Sequence, residues 1–236
     1  MRRLCVAIDG PAGAGKGTVA RGLAARLGYL LLDTGALYRT VALAASRVGL
    51  GWGDAEGIAA LATQLAEQER IVLPGVKRPE TQRAGGMQVL LDGEDVSDAI
   101  RTPEISVGAS RVSAIPAVRQ ALLAMQRQAG ASGGVVLEGR DIGTVVFPDA
   151  EVKFFLTAPA EVRARRRYDE LAARGVGVSF EDTLTDVVER DRADSERAVA
   201  PLRQAEDAIV IDSANRAPEE IVEEMVRVVE ARAGVR

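Results

Sequence analysis

The chain contains no histidine and one cysteine, Cys5. Without an imidazole, mechanisms that need a histidine general base and metal centres built on histidine are excluded. A lone cysteine permits no intramolecular disulfide, and its place within Leu4-Cys5-Val6-Ala7-Ile8 marks it as a small core residue. Lysine is scarce too. Lys16, Lys77 and Lys153 are the only ones, so nearly all the positive charge is arginine, the side chain suited to bidentate phosphate contacts. No apolar run approaches the roughly 20 residues that span a bilayer, and Met1-Arg2-Arg3 leads into a strand-length run instead of a secretory signal. A formal net charge of −4 argues against nucleic acid or a membrane surface as partner. The expectation is a cytoplasmic protein folded as one domain, residues 1–236.

What is present is organised around Gly10-Pro11-Ala12-Gly13-Ala14-Gly15-Lys16-Gly17-Thr18, between the first apolar run and a helical segment, Val19 to Leu27. Glycines let successive amides converge on phosphate oxygens, the helix N-terminus adds partial positive charge, and Lys16 reaches the β and γ phosphates. The spacing fits G-x-x-x-x-G-K. Gly17, however, stands where a magnesium-binding Ser or Thr usually follows the lysine, and the hydroxyl comes one residue late, at Thr18. That departure disfavours a GTPase or motor-type site and favours a small-molecule kinase.

Strand and helix signals alternate along the chain. Strands are expected at Leu4–Ile8, Leu30–Leu32, Gly134–Glu138, Glu151–Leu156 and Ala208–Asp212, with helices between them, which predicts a five-stranded parallel sheet with helices on both faces and ligands at the strands' carboxyl ends. Polar clusters sit at those ends: the glycine loop, then Asp33-Thr34, then Gly139-Arg140-Asp141. Residues 70–98 read instead as a small β insertion, with Asp92-Gly93 as a hairpin turn. Thr102-Pro103 and Pro116 open two helices; Ser179 with Asp182 caps another, running to Glu196.

The combination of Asp9 through Thr18, Leu32 through Arg39, Glu94 through Ser97 with Ile100-Arg101-Thr102, Glu138 through Asp149 and Glu189 through Arg197 resembles the bacterial cytidylate kinases of the nucleoside monophosphate kinase family. The resemblance spans nearly the whole chain. It implies the P-loop kinase fold, with 70–98 in the acceptor-binding region and a lid at 175–197. It also implies phosphoryl transfer from ATP to CMP or dCMP, with Mg2+.

Carried over residue by residue, Lys16, Arg39, Arg140 and Arg190 are catalytic. Gly10, Pro11, Ala12, Gly13, Ala14, Gly15, Lys16, Gly17 and Thr18 hold the ATP phosphates with Arg166 and Arg167. CMP falls to Thr34, Arg39, Arg101, Ser110, Arg119, Gly139, Arg140, Asp141, Arg190, Asp194 and Arg197. Within that set Ser110, Arg119 and Asp141 surround the base, and Arg190 and Asp194 hold the ribose hydroxyls. Magnesium has no dedicated protein ligand; phosphates and water hold it, with Thr18 and Asp33 as neighbours. Arg163, Arg166 and Arg167 are candidates for a lid arginine. The implied partners are small molecules acting on a monomer.

Plainer readings stand beside these. Arg163, Arg165, Arg166 and Arg167 alternate with acids along a helix, as solvated faces do. Ser110 fits simple packing, and Asp33 an N-cap. The rival functions are a UMP/CMP or adenylate-type kinase and a non-catalytic nucleotide-binding module.

Overall fold

The computed structural model describes residues 2–73, 88–173 and 175–234. Its main sheet has five parallel strands in the order β2-β6-β1-β7-β8: β1 Cys5–Asp9, β2 Leu30–Asp33, β6 Val135–Glu138, β7 Val152–Thr157 and β8 Ile209–Asp212. Each expected strand is there within a residue or so at its ends. Val6 through Ile8 are fully buried, as a strand covered on both faces requires. By contacts the chain forms two compact units, Met1–Tyr29 with Glu138–Arg236, and Leu30–Leu137.

In the first unit, α1 (Lys16–Leu27) packs on the last helix, α8 (Pro218–Gly234). The approach is close: a Cβ at Gly22 would stand 2.8 Å from Val222 Cγ2. Gly28 ends α1 in the left-handed conformation, its amide returning to the carbonyls of Ala24 and Ala25. Helix α6 (Ala160–Ala173) packs against α7 (Phe180–Glu196). Ser179 caps α7 by accepting from the Asp182 amide at 3.0 Å, and its hydroxyl donates to the Asp182 carboxylate at 2.7 Å, the expected reciprocal cap.

The second unit holds α2 (Thr34–Arg47), α3 (Ala55–Glu67), α4 (Pro103–Ser113) and α5 (Pro116–Gly130), with α2 on α4 and α3 on α5. Gly108 of α4 admits the Trp52 ring; a Cβ there would fall 2.6 Å from it. Thr102 caps α4, accepting from Ile105, and Pro103 starts it, as expected. A separate antiparallel sheet joins β3 (Ile71–Val72), β4 (Leu90–Leu91) and β5 (Glu94–Asp95). Asp92 and Gly93 between β4 and β5 both have positive φ, 53° and 82°, the signature of a type I′ hairpin. The rest of the expected insertion, 74–87, lies outside the described residues.

Gly10 is fixed by close approach. Its φ is 146°, and a Cβ would stand 2.0 Å from the backbone carbonyl oxygen of Leu156. Gly28 needs only its left-handed φ of 62°, with nothing within 4 Å. In chemical denaturation, Gly28→Ala is expected to cost about 1 to 2 kcal/mol, and Gly10→Ala at least about 3 kcal/mol because backbone on both sides of the clash must move.

Candidate functional site

The loop after β1 is held from behind by side chains far away in sequence. The Ser213 hydroxyl lies 2.9 Å from the Ala14 carbonyl and 3.1 Å from that of Thr157. Arg163 donates to the Ala12 carbonyl at 3.1 Å and to Ala158 at 2.8 Å, and makes a bidentate pair with Asp191. Gly13 is pressed against it: a Cβ there would come 3.0 Å from Arg163 Cβ. Gly15, at φ 90°, begins α1 with no side-chain cap and no acid in the first turn. The helix's first amides are therefore not capped by a side chain of the helix itself, the arrangement that suits a phosphate.

Lys16 is 6% exposed, and its Nζ donates to the Pro11 carbonyl at 2.7 Å. Burial, then the nearby Arg140, pull its pKa down from 10.5 to about 7 against the opposing Glu138, Asp9 and Asp194. Gly17 abuts one of these acids: a Cβ at 17 would lie 3.2 Å from Glu138 Oε1.

Around Lys16 the first unit gathers further charge. Arg140 follows β6, and its Nε donates to the Asp194 carboxylate at 2.9 Å. Arg197 lies 3.6 Å from Asp194 and 3.7 Å from Asp141. Helix α7 makes this possible through its 3.6-residue period: Arg190 and Asp191, then Asp194, recur on the face that carries buried Val187. Burial raises the pKa of Asp194, but Arg140, then Arg190 and Arg197, outweigh it and hold the carboxyl below its usual range.

The α6 arginines divide. Arg163 is buried in its carbonyls and Asp191. Arg165 stacks over Phe180, 4.2 Å from the ring centroid. Arg166 bonds the Ser213 hydroxyl at 3.0 Å and its carbonyl at 2.5 Å; a Cβ at Gly15 would lie 3.9 Å from Arg166 Nη1. Arg167 pairs with Glu170 at 3.0 Å on the surface, and no described contact ties it to the loop. The first unit thus assembles Gly10 to Thr18, Gly139, Arg140, Asp141, Arg166, Arg190, Asp194 and Arg197.

Thr34, Arg39, Arg101, Ser110 and Arg119 belong to the second unit. Asp33 caps α2 through the Ala36 amide and pairs with Arg39, so both the plain reading and a charged neighbour hold for it. Arg119 is 7% exposed, its guanidinium carbon 5.2 Å from the centroid of Tyr38 and its Nη1 3.2 Å from the Ser113 carbonyl. Ser110, on α4, is half-buried, and its carbonyl accepts from the Ser113 hydroxyl at 3.0 Å. Arg101 donates to the Ser97 carbonyl at 3.2 Å.

Three residues that matter at the loop escaped the sequence reading as site residues: Asp9, Arg163 in its anchoring role, and Ser213. No local spacing signals them, because their partners are more than 130 positions away.

A family model described as cytidylate kinase matches residues 6–231. The chain belongs to the cytidylate kinase family. Among its relatives, one named cytidylate kinase from Syntrophotalea carbinolica is 53% identical over 99% of this chain and 95% of its own. Another of that name, from a Geobacter species, is 54% identical over 96% and 93%. A solved shikimate kinase from Acinetobacter baumannii aligns over 97% of this chain and 94% of its own at 18% identity, with a TM-score of 0.44, too loose a likeness to bear on the site.

The depressed pKa of Lys16 makes a prediction for the ligand-free protein. Between its folded value of about 7 and its ordinary 10.5 the unfolded chain binds the extra proton, so stability rises with pH across that window. The slope from this one group is at most about 1.4 kcal/mol per pH unit. Lys16→Met is expected to stabilise the ligand-free protein at pH 7 and to flatten that rise, as read by denaturation at a series of pH values.

Proposed function

We infer that this protein transfers the γ-phosphoryl group of ATP to CMP, giving ADP and CDP, and accepts dCMP as well. The observation that carries the reading is that Lys16 of the donor-type loop shares one electrostatic neighbourhood with Arg140 and Asp194 of the acceptor-type motifs. A loop that only stored a nucleotide has no use for a second cationic cluster beside its lysine.

The chemistry asks for charge and alignment more than for covalent help. The acceptor phosphate is ionised at neutral pH, carrying about −1.5 to −2 by analogy with a phosphorylated side chain, so its oxygen attacks without a general base. That suits a chain without histidine. Lys16 and the loop amides hold the donor phosphates; Arg39, Arg140 and Arg190 neutralise the acceptor and the group in transit. Arg166, braced on Ser213 beside Gly15, is the better placed of the two α6 arginines assigned to ATP.

Asp141 accepts the cytosine amine, with Ser110 and Arg119 addressing the rest of the base, and Arg190 and Asp194 take the ribose. Arg197 lies 3.7 Å from Asp141. Uracil turns a carbonyl oxygen toward that carboxylate, leaving both buried acceptors without a donor.

The oxygen donors at the loop fit magnesium, a hard cation that keeps much of its water. A Cβ at Gly17 would lie 3.2 Å from the Glu138 carboxylate, and Thr18 follows one position on. Asp33 is committed to Arg39 and an α2 amide. Bound with ATP, the ion withdraws charge from the transferring phosphate. We assign the lid to 175–197 and the acceptor insertion to 70–98, and place the enzyme in the cytoplasm as a monomer. Among the described residues no helix is long and apolar enough to cross a membrane.

Steady-state rates with CMP, dCMP, UMP and AMP as acceptors test the reading. UMP is expected to fall below CMP by about 100-fold or more in kcat/KM; UMP or AMP turning over as well as CMP overturns it. Asp141→Ala is expected to lower kcat/KM for CMP by at least about 100-fold while ADP affinity stays within about threefold; an equal loss of ADP affinity means the residue is misassigned.

A further inference from the structure

Asp9 ends β1, one residue before the phosphate loop, and is 4% exposed. It belongs to neither of the two sets of substrate-binding residues assigned above. Its two carboxylate oxygens each accept a backbone amide: Oδ1 from Ile142 at 2.8 Å, Oδ2 from Gly143 at 2.7 Å. These are the first amides of a wide π-helical turn, Ile142–Val146, in which the Asp141 carbonyl accepts from both Val145 and Val146. A turn of that kind closes few of its own bonds at the start, so the carboxylate does for it what an N-cap does for a helix.

Upstream, the Gly139 amide donates to the Ile8 carbonyl at 3.0 Å. The segment Gly139 to Gly143 is therefore pinned at both ends to two consecutive residues of β1, Ile8 and Asp9. Between the pins lie Arg140 and Asp141. Gly143 has little room to shift: a Cβ there would meet Lys153 Cδ at 3.0 Å and Asp9 Oδ2 at 3.4 Å.

We propose that Asp9 is a positioning residue of the phosphoryl transfer: by clamping the Ile142 and Gly143 amides it holds Arg140 and Asp141 in register with the phosphate loop that starts at Gly10. The proposal rests on the roles assigned above to Arg140 and Asp141. A carboxylate is required because both partners donate. An asparagine of the same shape presents one oxygen and one NH2, and the NH2 meets an amide N–H head on.

Asp9→Asn tests it. Loss of one buried, charge-assisted hydrogen bond is expected to lower kcat/KM for CMP by about 30-fold, to narrow the preference for CMP over UMP, and to leave ADP affinity within about threefold. In an Asp141→Ala background, where base discrimination is already gone, Asp9→Asn is expected to change the CMP to UMP ratio no further. The inference fails if Asp9→Asn keeps CMP turnover and base preference within twofold, if it weakens ADP binding and CMP turnover equally, or if its effect on base preference persists in that background. Should Asp141→Ala itself leave CMP turnover intact, the underlying assignment of Asp141 fails, which the same three variants measured against the parent distinguish. Gly143→Ala, whose Cβ would meet Lys153 Cδ at 3.0 Å and so crowd the turn above an unaltered Asp9, is expected to give the same pattern of CMP loss with ADP binding kept, and supplies the test if Asp9→Asn does not fold; a Gly143→Ala enzyme within twofold of the parent on both acceptors overturns the proposal.

Discussion

Positive charge collected in a buried place repels itself, and the first unit of this protein is arranged around that constraint. Lys16 and Arg140 lie close enough for each cation to raise the cost of the other, and Arg190 and Arg197 join Arg140 around Asp194. The depressed pKa of Lys16 comes first from burial and then from Arg140, so repulsion adds to the cost of desolvation. Carboxylates supply the opposing charge. Asp194 faces three guanidiniums, while Asp9 and Glu138 act on Lys16. The acids thus offset part of the positive charge gathered beside the loop.

Asp9 shows how the same charges can be put to mechanical use. Burial raises its pKa from 3.8 to about 6, the two amide bonds lower it, Asp141 raises it, and Lys16 lowers it. A carboxylate kept under that tension holds its ionised form at neutral pH largely through the amides it grips, so the clamp and the charge state support each other. Both depend on β1 lying between β6 and β7, where its carboxyl end meets the turn that carries Arg140.

The fold was legible where its causes are local. The alternation of apolar runs with helical stretches reveals the strands, Thr102-Pro103 and Ser179 with Asp182 mark helix starts, and Asp92-Gly93 marks a hairpin because two successive positive φ angles need such residues. The glycine loop was legible for the same reason: its function is written in consecutive backbone positions. The anchors were not. Ser213 to Ala14, Arg163 to Ala12 and Asp9 to Ile142 join residues whose proximity is decided by strand order, which no spacing in the sequence encodes. The π-helical turn at Ile142–Val146 was missed because its amides are satisfied by a carboxylate from another strand, outside any local pattern.

The arginine excess takes on a different meaning once the α6 side chains are placed. Arginine count alone points to phosphate binding, yet Arg163 spends its guanidinium on two carbonyls and Asp191, and Arg165 lies against Phe180. A planar fork with five donors can satisfy several fixed acceptors at once, which an ammonium cannot do with the same directionality. Arginine is therefore used to brace the loop, whatever other arginines contribute at its mouth. Lysine stands in the loop itself, where a compact charge on a flexible stem reaches the Pro11 carbonyl and its pKa responds to burial and to Arg140. The division of labour between the two side chains follows from their chemistry, with rigid geometry given to arginine and the responsive charge to Lys16.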